Sequence, residues 1–447
     1  VVGHWLLNNM APDPKIMKAV EQLGYRATVG DIAAQAGLNI NLAQQGLLAL
    51  ASDAGGHLQV AQSGEIAYLF PKNFRSILRN KYLRLQLQEW WQKIWRVLFY
   101  LIRISFGIIL IVSIVLIFVA IAIIIIGLNS SSNNNSSGGS RNSGGGSLFL
   151  PHFWIGPDIF WFFDPGYDRQ RYRRRRDSSE RNQMNFLEAI FSFLFGDGNP
   201  NADLEERRWQ EIGTVIRNSQ GAVAAEQIAP YLDNIGKAYQ RESEDYMLPV
   251  LSRFNGLPEV SPDGEIVYHF PELQTTVASR HQPLSVPAYL REQLWQFSQA
   301  SSGQIMQAIG LGGVNLVGAL MLGSLLRGGQ IAAQLGGFVA SVQSIYWLLL
   351  TYGIGFLAVP LIRYFWIQSK NRQIEARNQQ RQEEAIALSQ ADANLKKKIA
   401  YAQQFAAQNV IKDEDLVYTS ETDLLDQEIE RKDKIDAEWR RRLESGS

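Results

Sequence analysis

Cysteine is absent from the 447 residues, which excludes disulfides, thiolate nucleophiles and thiolate ligands for zinc or an iron-sulfur cluster. Histidine is scarce: the five, His4, His57, His152, His269 and His281, never fall at the short spacings of His-based metal motifs. Net charge is also missing, with 43 basic residues against 43 acidic ones, so no global field draws the chain to nucleic acid or to an acidic substrate. No serine lies in the Gly-x-Ser-x-Gly pattern of a hydrolase nucleophile elbow. No catalytic, cofactor-binding or metal-binding residue is therefore nominated, and the expectation is a protein that is not an enzyme.

What is present is apolar and locally concentrated. Mean hydropathy is only −0.12, yet residues 104–128 form 25 positions without a charge, a transmembrane helix by length and composition. A second uncharged run, 338–362, ends on Arg363, Tyr364 and Trp366, which read as interface anchors. A third, 304–326, carries five glycines and Asn315; small residues suit close helix packing in a membrane, and a re-entrant or interfacial helix is the other expectation. The basic residues of 72–103, with Trp90, Trp91 and Trp95, precede the first span, which places the N-terminus on the cytoplasmic or stromal side. Arg363, Lys370, Arg372 and Arg377 after the last span ask for the same side, which three crossings do not satisfy.

The chain also repeats itself at a shift of 200. Val60, Gly64, Glu65, Ile66, Tyr68, Phe70 and Pro71 recur as Val260, Gly264, Glu265, Ile266, Tyr268, Phe270 and Pro271. Each copy, 1–71 and 201–275, reads as helices followed by an alternating hairpin, which is the pattern of a winged-helix domain. Such domains often hold DNA, but residues 1–71 contain three basic and five acidic residues, and 203–272 contain six and thirteen. Phosphate would be repelled, and the third helices carry only Arg253 between them. Protein docking is the expected use, not nucleic acid.

Between the copies, eighteen of the nineteen residues of 129–147 are Asn, Ser or Gly, a flexible linker. The stretch 148–200 opens with an aromatic run containing Trp154 and Trp161, expected at the membrane interface. Arg169, Arg171, Arg173, Arg174, Arg175 and Arg176 follow, a cluster suited to anionic headgroups or a partner protein. Helix 186–195 is expected to pack rather than anchor. The acids from Asp197 to Asp203 lack the Gly and the closing acid of a calcium loop, and Asp203 reads as a helix N-cap. Residues 367–447 read as charged helices, the first a long strut leaving the membrane. Val1 suggests that the natural start lies upstream, and Ser445 to Ser447 resemble an added tail.

The segments GYRATVGDIAAQAGL (Gly24 to Leu38), FLEAIFSFLFGDGNPN (Phe186 to Asn201), IVYHFP (Ile266 to Pro271) and SKNRQIEARNQQR (Ser369 to Arg381) resemble a family of cyanobacterial and chloroplast membrane proteins. Plant members are labelled as iron-sulfur cluster biosynthesis family proteins. The resemblance covers nearly the whole chain and implies a thylakoid, plasma or plastid membrane; with no Cys, no cluster ligand is carried over.

The expected fold is mostly α: two winged-helix-like α+β domains, two to three transmembrane helices and a long C-terminal helix. The expected role is a membrane scaffold or assembly factor, with membrane lipids, photosystem subunits or assembly proteins, and further copies of itself as partners. An oligomeric transport component and a membrane-tethered transcription regulator are the alternatives. A single crossing between the two copies, since one span takes about 20 residues, places them on opposite faces of the membrane.

Overall fold

In the computed structural model the described residues are 12–81, 83–132, 184–233, 243–277, 284–327, 330–429, 432 and 439–440. In chain order they form α1 (Pro14–Gln22), β1 (Arg26–Thr28), α2 (Val29–Ala36), α3 (Ile40–Ala54), β2 (His57–Ala61), β3 (Ile66–Leu69), α4 (Phe74–Lys81) and α5 (Leu83–Ser132). There follow α6 (Phe186–Phe195), α7 (Leu204–Asn218), β4 (Ala222–Ala224), α8 (Ala225–Ile228), α9 (Leu248–Phe254), β5 (Leu257–Val260), β6 (Ile266–His269), α10 (Pro271–Gln274) and β7 (Thr275–Thr276). The last elements are α11 (Ser302–Leu325), α12 (Gln330–Leu335), α13 (Gly337–Ser389), α14 (Ala393–Ala402), β8 (Asn409–Val410) and β9 (Leu416–Thr419). The chain is mostly helical with small sheets, and divides into two compact units.

The first unit gathers Val1–Gln92, Asn199–Leu294 and Asn371–Ser447. Both repeats lie in it with matching strand registers. Tyr68 faces Ala27 and Leu58 across β3, and Tyr268 faces Val223 and Pro258 across β6. The periodic apolar residues of both repeats, among them Ile32, Leu47, Phe70, Ile212, Phe254 and Phe270, form one continuous core. Each such side chain contributes about 1.5–3 kcal/mol on burial. Helices α2 and α7 approach closely because small residues line the seam: a Cβ on Gly213 would stand 3.1 Å from that of Ala34, and one on Gly30 would collide with the Glu272 carbonyl.

A shared core overturns the expectation of opposite membrane faces, because no bilayer can divide one packed interior. That expectation counted one crossing between the repeats, and residues 133–183 between them lie outside the described residues.

The two sheets differ at one edge. In the first the order is β1-β3-β2-β9, whereas the second stops at β5. Ala61 and Ser261 donate their N–H groups inward, to the Glu65 and Glu265 carbonyls, so the backbone at 58, 60, 62 and at 258, 260, 262 faces the open edge. Leu58 exchanges hydrogen bonds there with Ser420, and Gln62 donates to the Asp415 carbonyl at 2.9 Å. The second repeat has Pro258 and Pro262 at those places, which have no N–H to give. Its edge is instead closed by the Tyr401 hydroxyl, which donates to the Val260 carbonyl at 3.2 Å.

The long strut expected over 368–408 is helical but packed on this unit, and the region after it, expected as a further charged helix, contains the strands β8 and β9. Ile374, Arg381, Lys398 and Ala402 are buried, and β9 was illegible because four residues are too few to show alternation.

The second unit, Lys93–Gly198 and Trp295–Lys370, contains three stretches long and apolar enough to cross a membrane: Lys93–Asn129 within α5, Ser302–Leu325, and part of Gly337–Ser389. α11 runs alongside α5 in the same direction, Leu110 clustering with Ala308 and Ile117 with Ala319, and α13 returns. Gly312 admits Phe356, and Gly323 admits the Tyr346 ring. Residues 304–326, expected to span or to form a re-entrant or interfacial helix, lie in one unbroken helix opened by a Ser301–Gln304 capping box. α6 packs at the end of the bundle that holds Phe106, Trp295 and Trp366, its Phe191 and Phe195 rings against Phe106. The unit's four chain ends, at Lys93, Gly198, Trp295 and Lys370, all lie toward that same end.

Two outcomes follow. Single cysteines placed in this cysteine-free chain at Ser52 and at Asp263, both exposed, are expected to react with an impermeant maleimide from one side of sealed vesicles; labelling from opposite sides contradicts the shared core. Gln62→Pro is expected to release the β9 edge, read as faster amide exchange over 415–420, while changing Pro262 to Gln leaves β9 protection as it was.

Candidate functional site

The third helices carry the docking expectation, and they are used differently. On α3, Leu42 and Leu48 are 58% and 54% exposed, and Asn41, Gln44, Gln45, Ala49 and Ser52 share the outward surface. The helix begins at an Asn39 N-cap and ends at Gly55 in the left-handed conformation. Six residues of its other face, including Leu47 and Leu50, enter the core. The exposed face is uncharged. α9 in the second repeat turns inward: Arg253 donates to the Gly37 carbonyl at 2.9 and 3.1 Å and lies 4.2 Å from the Trp209 ring. The one basic residue of the third helices is thus committed inside the unit.

Three buried charge clusters hold this unit together. Asp31, 1% exposed, closes a capping box with Thr28 at the start of α2, and its other contacts are long-range. Arg217 donates to it at 2.6 Å and Thr276 at 2.8 Å. Thr28 in turn donates to the Thr275 carbonyl at 3.1 Å. Because β7 pairs in parallel with β8, one carboxylate links both repeats and the strand on which the C-terminal segment lies. Removing one partner of such a buried pair costs about 3–5 kcal/mol.

The second cluster docks the C-terminal part of α13. Arg381 bonds Asp233 and Glu292, the latter at 2.9 Å, and donates to the Leu290 carbonyl; Arg377 makes a bidentate pair with Glu292 at 2.7 Å. Burial would raise both carboxyls, but Arg381 and Arg208 outweigh it at Asp233, and Arg377 and Arg381 do so at Glu292, so both sit below the usual range. Nearby Tyr231 is pushed by burial up to about 12.

The third cluster surrounds Lys398 on α14, which bonds Glu226 at 2.8 Å and Glu244 at 2.5 Å, with Glu265 at 3.8 Å. Burial alone would lower the ammonium; its bonds to Glu226 and Glu244 prevail and raise it. Burial raises Glu244, with Lys398 and the Tyr268 hydroxyl at 2.8 Å opposing. An open cavity of about 480 Å³ adjoins, lined by Glu226, Glu265, Asp392, Asn394 and Lys398 among others. Among the described residues no group of His, Asp or Glu is arranged to hold a metal ion.

The residues nominated from sequence are mostly not at these clusters. Arg169, Arg171, Arg173, Arg174, Arg175, Arg176, Trp154 and Trp161 lie outside the described residues. Trp90, Trp91 and Trp95 are exposed on α5. Trp366 is 46% exposed and meets Trp295 edge to face at 5.2 Å. Asp203 stands at the N-cap of α7 without a side-chain cap bond and pairs with Arg207 instead. Asn315 is fully buried and its side-chain carbonyl accepts from Ser113 at 2.8 Å, a bond between spans. Asp31, Arg217, Arg381 and Lys398 escaped notice as ordinary charges. Their signals were local: Thr28 three residues before Asp31, and Ile374, Arg377, Asn378 and Arg381 on one helical face.

In comparisons with known proteins, one curated sequence is 39% identical over 441 residues, 96% of this chain and 82% of the other. It is At5g03900 of Arabidopsis thaliana, a chloroplastic protein. No protein-family profile matches the chain, and no solved structure does.

Lowered carboxyls stabilise the docked segment above the unfolded carboxylate range, about 4, and that contribution is lost as pH falls through the folded values beneath it. Amide exchange over residues 371–402, corrected for its intrinsic pH dependence, is expected to lose protection as pH falls below the unfolded carboxylate range; protection that does not change with pH contradicts the assignment to Asp233 and Glu292.

Proposed function

Because this chain belongs to the family of the chloroplastic Arabidopsis protein At5g03900, we propose that it is a non-enzymatic scaffold or assembly factor embedded in a photosynthetic membrane. The observation that carries this reading is the uncharged outer face of α3, from Asn41 to Ser52, exposed on a unit whose buried charges Asp31, Glu244, Glu292, Arg381 and Lys398 are paired internally. Element order and strand registers support reading the two repeats as winged-helix modules, with the second turned inward to brace the first. Three apolar helices are compatible with a plastid membrane, and the basic residues before the first span favour the stromal or cytoplasmic side for the N-terminal repeat.

A face with apolar and amide side chains and no charge suits a protein surface better than a polyanion, because phosphate binding needs Lys or Arg. Photosystem subunits or their assembly proteins are the proposed partners, a reading supported by the family's chloroplast member. An iron-sulfur role has no cysteine to rest on.

The test is affinity purification of the intact protein in mild detergent, beside a Leu42→Glu, Leu48→Glu variant. Both leucines are exposed, so the variant is expected to keep its thermal midpoint. Subunits of a photosynthetic complex are expected with the native chain and depleted at least severalfold with the variant. Unchanged recovery, or a pure homo-oligomer with lipid alone, counts against docking through α3.

A further inference from the structure

We propose that the end of the helical unit bearing Lys93 and Arg96 binds anionic lipid headgroups. The helix that contains the first span does not stop being apolar at Arg103. Trp95, Val97, Leu98, Phe99, Tyr100, Leu101 and Ile102 extend it, and all eight consecutive residues 95–102 are exposed. Eight residues are more than two turns, so exposed surface runs round the helix, although Phe99 also meets Phe191 edge to face at 5.9 Å. A docked protein covers one side of a helix, whereas a headgroup layer surrounds it.

Charge points to the sign of that layer. Among the described residues, this end of the unit carries Lys93, Arg96, Arg103, Arg363 and Lys370 against Glu188 and Asp197, while the far end has only Arg327. Asp197 is already bonded to Arg103 at 2.8 Å. Arg363 donates to the Ser192 and Phe193 carbonyls at the end of α6, where cations favour the helix dipole. Lys93, Arg96 and Lys370 are exposed, and Lys370 stands 5.8 Å from the Trp366 ring. Exposed cations beside Trp and Tyr at a span's end match the headgroup level. A parallel second copy fits worse, since Lys93 and Arg96 would meet their own images.

The proposal rests on the reading of this unit as membrane-embedded, which alkaline extraction tests separately: release into the supernatant removes that reading, and retention isolates the lipid question. The intact chain is reconstituted into a neutral bilayer with a minor fraction of phosphatidylglycerol, excised with styrene-maleic acid copolymer, and its lipids are quantified. Enrichment of the anionic lipid over the bulk bilayer is expected, weakening as salt rises and falling to nearly bulk composition in a Lys93→Gln, Arg96→Gln, Lys370→Gln variant. The charge-preserving Lys93→Arg, Arg96→Lys, Lys370→Arg chain is expected to retain it. Bulk composition around the native chain overturns the proposal. So does equal enrichment in the charge-removed variant, or a second copy or another protein found covering 95–102.

Discussion

Asp31 is the contact on which the unit that holds both repeats depends. It is buried at the point where the two repeats meet, receives Arg217 from the second, and receives Thr276 from the strand that follows it. The small residues around it make the meeting close, since Gly30 and Gly213 leave space for opposing backbone and Ala34. A buried carboxylate so placed tolerates neither separation nor rotation of the repeats, because either leaves a charge without its partners. Everything else in the unit is arranged around that fixed seam.

One consequence is topological. A single core built from two distant stretches of chain, the first from Ile16 to Leu78 and the second from Trp209 to Leu290, cannot be divided by a membrane. Within the helical unit, the four chain ends lie toward the end that carries the aromatic and basic residues. The other consequence is division of labour between the repeats. In the second, the third helix and its only arginine brace the first, and prolines close the sheet edge; in the first, the corresponding helix face stays open and the edge takes β9 from the C-terminus. The two repeats are similar, and Pro258 and Pro262 are among the differences that deny the second sheet edge a further strand.

Much of this was legible in the residues, and what was not has physical causes. The spans showed themselves because lipid demands long uncharged runs, and the hairpins because alternation and Gly64 or Gly264 mark them. The relation between the repeats was hidden because it rests on contacts nearly two hundred positions apart, of which Asp31 with Arg217 gives no local sign. Lys398 sat in a run of three lysines that reads as solvent-facing, and only the apolar spacing of Leu395, Ile399 and Ala402 around it hinted at burial. The expected lipid contact at Arg169 to Arg176 lies outside the described residues, whereas Lys93, Arg96 and Lys370 form a basic surface that is within them.

The most direct test of the shared core is a cysteine pair at Ala34 and Gly213, with a protease site introduced between residues 133 and 183. A Cβ at 213 would lie 3.1 Å from that of Ala34, close enough for a disulfide, and the chain has no other cysteine to compete. After oxidation in native membranes and cleavage, the two fragments are expected to migrate together without reductant and apart with it. Fragments that separate without reductant, although both thiols react with a small maleimide, would contradict the account.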